Sequence, residues 1–427
     1  MEAAGAVLFL VVLIVLIFIK IPIGFAIGLV SLAGFVIYQL PLEILAQRLY
    51  TGMASPTWLA IPLFILAGTL MGRGGLSRRL VNFSESILGQ IKGGLGVTTI
   101  FSAAFFSSIS GASPATAAAI GSVMIPEMKE KGYPEKLAAG ITAAGGVLGV
   151  LIPPSIILIA YGVLAQVSIV DLFMAALIPG LLTAMALMIV TYFLSRSLGA
   201  ESVSKFSLRK VLTSLREGVL SLFAPVLILG GIYLGIFTPT ESAVVAVAYA
   251  LIVGTIYREL TVLAVIESVK VTVVTTGALA IIWAAASSYA YVLTLSGITQ
   301  QLAALMLTVS ENPIIILLLI SLLVVVLGAY INAMGMVILL TPIFVPILVA
   351  IDFDLIAFGI IFVVLCEIGY ITPPVGTNLF VVKSFCKNSG LLEISAVVVP
   401  FIFMLLAISV FLIVFPGVIT FLPELIS

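Results

Sequence analysis

Apolar stretches long enough to cross a bilayer recur along almost the whole of this 427-residue chain, and that recurrence fixes its solvent before any other feature is considered. Breaks at charges, prolines and polar loops leave ten crossing candidates, near residues 3–19, 22–38, 57–71, 137–162, 171–195, 218–236, 239–257, 273–295, 355–386 and 392–416. A hydrocarbon core requires roughly 20 such residues per helix. Two further apolar stretches, 93–125 and 313–351, are too long for one crossing and carry small or polar residues at their centres. Each is expected to dip in and return as a re-entrant hairpin. A mean hydropathy of +1.38 with only 8% charged residues lies outside the range of soluble domains.

The basic residues test this layout, because every crossing switches the side on which the next loop lies. All but one of the 18 Lys and Arg fall on the side reached after the first crossing, the exception being Arg48. Both termini are therefore expected on the periplasmic side of an inner membrane, with the first hairpin opening to the cytoplasm and the second to the periplasm. The first apolar stretch follows Glu2 rather than a basic segment, so it reads as a retained helix and not a cleaved signal peptide. Residues 198–217 and 258–272 mix aliphatic and charged side chains at helical spacing, which predicts amphipathic helices along the cytoplasmic face.

An offset of 220 residues aligns Pro126 with Pro346, Gly149 with Gly369, and Pro153–Pro154 with Pro373–Pro374. The chain divides accordingly into residues 1–199, an amphipathic connector at 200–217, and residues 218–427. Each half reads as three crossings, a hairpin and two crossings. Five is odd, so the second copy is expected to run inverted, an arrangement that places ligands near the midplane where the copies meet. The fold class is thus an all-α membrane protein of about ten spans and two hairpins.

The candidate chemistry lies where these helices must break. In the first hairpin, Pro114 removes an N–H and disfavours helix at Ser113, so free amides and a positive dipole end are expected at the tip. In the first crossing of the pair, Pro153–Pro154 strip the carbonyls one turn earlier, around Gly149 and Val150, of their helical donors. Amides suit a carboxylate, and carbonyls with hydroxyls suit a hard cation such as Na⁺. One cation site is expected among Ser108, Ser110, Gly149, Ile152 and Ser155, and its counterpart among Gly328, Asn332, Gly369, Thr372 and Val375. Ser113, Thr116, Asn332, Thr377 and Asn378 are the candidates for holding substrate. Glu367, two residues before Gly369, is the only carboxylate near a helix middle and is a candidate coupling acid. Glu241 in Thr238-Pro239-Thr240-Glu241 has the spacing of a helix-initiating capping box instead.

Several function classes fall away. No His is present, and Cys366 and Cys386 are twenty residues apart, so a transition-metal or haem cofactor is not expected and Na⁺ is the sole metal foreseen. No nucleophile–base pair suggests an enzyme, and no GxxxxGK[ST] suggests direct use of ATP. A stand-alone divalent-anion/Na⁺ symporter or a cation/H⁺ antiporter of related architecture is the alternative carrier reading.

The run Ser110-Gly111-Ala112-Ser113-Pro114-Ala115-Thr116, then Ile125-Pro126-Glu127-Met128 and Leu151-Ile152-Pro153-Pro154-Ser155, resembles the large membrane subunit of tripartite ATP-independent periplasmic (TRAP) transporters, the DctM-like family. The run from Gly369 to Asn378 is similar to the second signature of that family. The resemblance implies an elevator-type carrier of C4-dicarboxylates, sialic acid or other carboxylates, coupled to Na⁺. It also implies two partners, a DctQ-like membrane subunit of about four helices and a DctP-like periplasmic binding protein. Because the chain starts directly at the first crossing, the small subunit is expected as a separate polypeptide.

Overall fold

The computed structural model describes residues 2–54, 56–197, 207–310 and 312–426. Its first half comprises α1 (Glu2–Phe18), α2 (Ile23–Ile37), α3 (Leu42–Met53), a 3₁₀ turn (Pro56–Leu59), α4 (Ala60–Arg73) and α5 (Leu76–Leu88). The hairpin α6 (Gly94–Ser110) and α7 (Ser113–Glu130) follows, then α8 (Glu135–Gly146), α9 (Leu148–Leu151), α10 (Ile156–Ala165) and α11 (Ile169–Ser197). The second half comprises α12 (Leu208–Tyr233), α13 (Pro239–Ile256), α14 (Val262–Leu295) and α15 (Ile298–Val309). After it come the hairpin α16 (Pro313–Gly328) and α17 (Ala333–Ala350), then α18 (Leu355–Tyr370), α19 (Thr377–Lys383), α20 (Leu391–Val414) and α21 (Gly417–Ile426).

Among the described residues, seven helices are long and apolar enough to cross a bilayer, or up to nine if two sharply bent pairs each count as one span. The apolar helices α2, α6 and α18 are shorter. Large apolar side chains face outward along the spans, for example Val262, Leu263 and Val274 on α14 and Leu212, Phe223 and Val226 on α12. Such surfaces are stable only against lipid or another membrane chain.

Two expectations need correction. Residues 258–272 do not form a separate surface helix: from Val262 they are the first turns of α14, which runs unbroken for 34 residues. No proline interrupts it, so helix propagation outlasts the change from mixed to apolar composition. Likewise residues 208–217 are the start of α12, while 198–206 lie outside the described residues. In contrast, Thr238 and Glu241 do form the capping box, with the Glu241 amide bonded to Thr238 Oγ1 at 3.2 Å and the Thr238 amide to Glu241 Oε2 at 2.8 Å.

Two groups of helices position the site. In one, α2, α3 and α4 pack on α13 and α14. In the other, the hairpins pack on the broken helices, and each half lends a helix to the opposite hairpin: α10 lies on α17, and α19 lies on α7. Four ion pairs among the described residues join elements at one end of the molecule: Arg73–Glu267, Arg79–Glu259, Lys129–Glu135 and Lys210–Glu85. Every one uses basic residues from the cation-rich side read from the sequence.

Candidate functional site

Hairpin tips and helix breaks meet as backbone against backbone. At the first tip Ser110 ends α6, Gly111 takes a left-handed φ of 63°, and Pro114 stands in the first turn of α7. The Ile156 amide, just past the Pro153–Pro154 break, bonds the Gly111 carbonyl at 3.1 Å. Gly149 faces this tip so closely that a Cβ there would stand 2.7 Å from Ala112 C and O and from Ser113 Cα. The second half repeats the device: a Cβ on Gly369 would stand 2.6 Å from Gly328 C and 2.8 Å from its Cα, and the Val375 amide bonds the Ala329 carbonyl at 3.2 Å. Both Pro–Pro peptide bonds, 153–154 and 373–374, are cis.

The residues expected to bind cations lie on the helix ends and connections that form these two junctions. Ile152 leaves the helix with extended backbone, and Ser155 caps α10 by accepting the Leu158 amide at 3.3 Å. Ser110 Oγ lies 2.6 Å from Thr116 Oγ1, and Ser108 Oγ donates to the Phe105 carbonyl at 2.6 Å. On the other side, Asn332 caps α17 through the Gly335 amide at 2.7 Å, and Thr372 Oγ1 donates to the Ile368 carbonyl at 2.6 Å. The Ser108 and Thr372 hydroxyls thus donate to backbone carbonyls and keep their lone pairs, while Ser155 Oγ and Asn332 Oδ1 each accept a backbone amide.

Beside the first tip is a cavity of about 690 Å³. Its walls are Ile65 to Arg73 of α4, Ser113 to Ser122 of α7, and Val271 to Leu279 of α14. Eight or nine residues of rise make each wall roughly 12 Å long. One end is closed by the tip itself, with Ser110, Gly111 and Ala112, and by Asn332, Met334, Tyr370 and Thr377. The other end carries Arg73 and Ser122, which are exposed. The cavity therefore opens toward the cation-rich side.

Of the expected substrate ligands, Ser113, Asn332 and Thr377 line this cavity. Thr116 and Asn378 do not. Thr116 is buried and spends its hydroxyl on Ser110, closing the hairpin, while Asn378 is buried and donates from Nδ2 to the Ala143 carbonyl at 3.1 Å, tying α19 to α8. Glu367 is fully buried and also outside the cavity lining. Ser113 Oγ touches it and lies 2.8 Å from the Gly146 carbonyl. Sequence reasoning missed the opposite wall, above all Thr69, Arg73 and Thr275. Arg73 ends α4 and looked like an ordinary flanking cation; only the packing of α4 and α14 across from α7 turns it toward a cavity.

One titratable pair lies outside the cavity, between the last turns of α5 and α7. Burial, reinforced by the neighbouring carboxylate of Glu85 and a hydrogen bond to it, pushes Glu127 up to about 7 against the pull of Lys131 and Lys210. Glu85 in turn accepts from Lys210 Nζ at 2.9 Å.

This geometry can be set beside known proteins. Residues 10–418 match the family described as the tripartite ATP-independent periplasmic transporter, DctM component. The chain belongs to that family. It is 38% identical over 412 residues to the sialic acid TRAP transporter large permease protein SiaM of Vibrio cholerae, covering 96% of each. It is 40% identical over 345 residues to the C4-dicarboxylate TRAP transporter large permease protein DctM of Pseudomonas aeruginosa, covering 80% of each. It is 41% identical over 391 residues to the isethionate TRAP transporter permease protein DctMQ of Oleidesulfovibrio alaskensis. That match takes in 91% of this chain, which spans only 61% of the relative's length. Among solved structures, the YdaH transporter of Alcanivorax borkumensis superposes with a TM-score of 0.64 at 19% identity, covering 88% of this chain and 89% of that one, which shows a shared fold. The chain is thus a transporter permease of the membrane and not an enzyme.

Proposed function

We propose that this DctM-family chain is the large membrane subunit of a Na⁺-coupled importer of a small organic anion, a carboxylate or sulfonate. The observation that carries the reading is the cavity at the first hairpin tip, where the start of α7 with Ser113, and Asn332 and Thr377, border a space walled by small residues. The positive end of a helix dipole favours an anion there. Na⁺ held by Ser108, Ser110, Gly149, Ile152 and Ser155, and by Gly328, Asn332, Gly369, Thr372 and Val375, supplies the compensating charge. The two halves act as inverted repeats, and the body of hairpins and broken helices slides as an elevator against α2–α4, α13 and α14. Each net positive charge moved inward gains about 2.3 kcal/mol per 100 mV, so two Na⁺ with one monoanion would be driven by voltage as well as by concentration.

Localisation in an inner membrane with both termini periplasmic follows from the distribution of basic residues. The partners are a small membrane subunit and a periplasmic binding protein that delivers the anion. The test is reconstitution of all three in proteoliposomes, with uptake of labelled sialic acid, succinate and isethionate under an inward Na⁺ gradient. Uptake of at least one anion, dependent on Na⁺ and on the binding protein, is expected. Equal uptake with K⁺ in place of Na⁺ overturns the coupling, and uptake without a binding protein favours the stand-alone symporter.

A further inference from the structure

Among the described residues, Arg73 is the only charged side chain lining the 690 Å³ cavity. It stands at the open end, in the last turn of α4, with its side chain 39% exposed. Its Nη1 donates to Glu267 Oε2 of α14, whose side chain is 45% exposed. A guanidinium carries five N–H donors in a planar fork, and one carboxylate oxygen uses only part of it. An ion pair this exposed contributes little to folding, so stability alone does not account for a cation and a carboxylate held at the mouth of an otherwise uncharged cavity. The hairpin tip, with the start of α7, lies at the opposite end of the cavity walls from Arg73.

We propose that Arg73 receives the acid group of the transported anion as it leaves the cavity, and that Glu267 is the competing carboxylate that lets it go. The proposal rests on the reading of the chain as an importer of organic anions and adds a release station to it. The ligand class is a carboxylate or sulfonate, whose planar or trigonal oxygens suit the fork of Arg73. Glu267 works against the anion in two ways: it occupies part of the guanidinium, and its negative charge repels the departing group. Removing Arg73 and removing Glu267 must then have opposite effects on affinity at this end. A pair that merely fastens α4 to α14 predicts the same effect from either loss.

Proteoliposomes containing both membrane subunits, supplied with binding protein, are loaded internally with unlabelled succinate, sialic acid or isethionate, and the internal concentration that halves net uptake is measured. Arg73→Gln is expected to raise that concentration by about tenfold, and Glu267→Gln to lower it several-fold. Arg73→Lys, which keeps the charge without the fork, falls between. In parallel, stabilisation of the purified membrane complex against heat by each of the three anions is compared, with Glu267→Gln responding more than wild type and Arg73→Gln less. Shifts in the same direction for both variants, or none for either, overturn the proposal. If wild type takes up none of the anions, the importer reading fails, while the thermal comparison still decides whether Arg73 and Glu267 oppose one another in anion binding.

Discussion

The two hairpin junctions share one construction and meet different surroundings. In each, a glycine admits a hairpin backbone too close for any side chain, Gly149 against Ala112 and Ser113, Gly369 against Gly328. In each, an amide beyond a Pro–Pro break ties the tip down. Yet the first tip forms the end of the cavity with five consecutive residues from Ser110 to Pro114, while the second sends only Asn332 and Met334 to it. The halves differ beside the tips as well: α3 and α4 are separate helices around Pro56, whereas α14, which the 220-residue offset sets against them, is one uninterrupted rod. Equal local sequence devices therefore produce unequal exposure, because exposure is decided by which elements stand opposite.

The harshest way to break the comparison is to add a methyl group at each junction. Overpacking costs about 1–3 kcal/mol even where flexible side chains can yield, and here the neighbours are backbone. Gly369→Ala and Gly149→Ala are each expected to reduce uptake by about two orders of magnitude, with lowered melting temperatures. If one junction tolerates alanine freely, the shared construction is superficial.

Removing hydroxyls is gentler. Ser110→Ala and Thr372→Ala should each weaken the apparent Na⁺ affinity of uptake by about tenfold, the size of one lost oxygen contact. A double mutant that keeps the wild-type Na⁺ dependence would remove both proposed cation sites.

Comparable in size is the loss of a clasp between halves. Glu135 at the start of α8 pairs with Lys129 and accepts the amides of Lys387, Asn388 and Ser389, two of them at 2.8 Å. Glu135→Ala strands these donors and should lower stability by about 2 kcal/mol, read as a shift in the denaturation midpoint. An unchanged midpoint would mean that the halves are joined elsewhere.

The smallest expected effect concerns the open end of the first hairpin. Glu127 is pushed up to about 7 in the folded chain, above its ordinary 4.5. The folded state therefore holds more protons between those values, and stability should fall as pH rises through that window, by on the order of 1 kcal/mol after solvent screening. Glu127→Gln should flatten the profile and be the more stable form above pH 7. A flat wild-type profile would refute the pairing with Glu85.

Much of this was legible in residues alone. Apolar length, the one-sided cations and the Gly–Pro spacing repeated at 220 residues pointed to the membrane and to the two junctions, and the runs at residues 110–116, 125–128, 151–155 and 369–378 resembled the family. Ser113, Asn332 and Thr377 were found because Pro and polar residues in an apolar run announce a broken helix. Thr116 and Asn378 carried the same signal, yet they lie off the cavity and their hydrogen bonds close internal contacts, as that of the Ser113 hydroxyl does from the cavity's edge.

Sequence by itself determined the solvent, the helical class and the places where helices end, because each depends on local chemistry: apolar length, missing N–H groups, and glycine where no Cβ fits. Only tertiary structure decided which polar groups face a cavity and which are consumed in packing. That choice depends on elements far apart in the chain, such as α4 and α14 standing across from α7, and no local pattern records what a side chain will find opposite it.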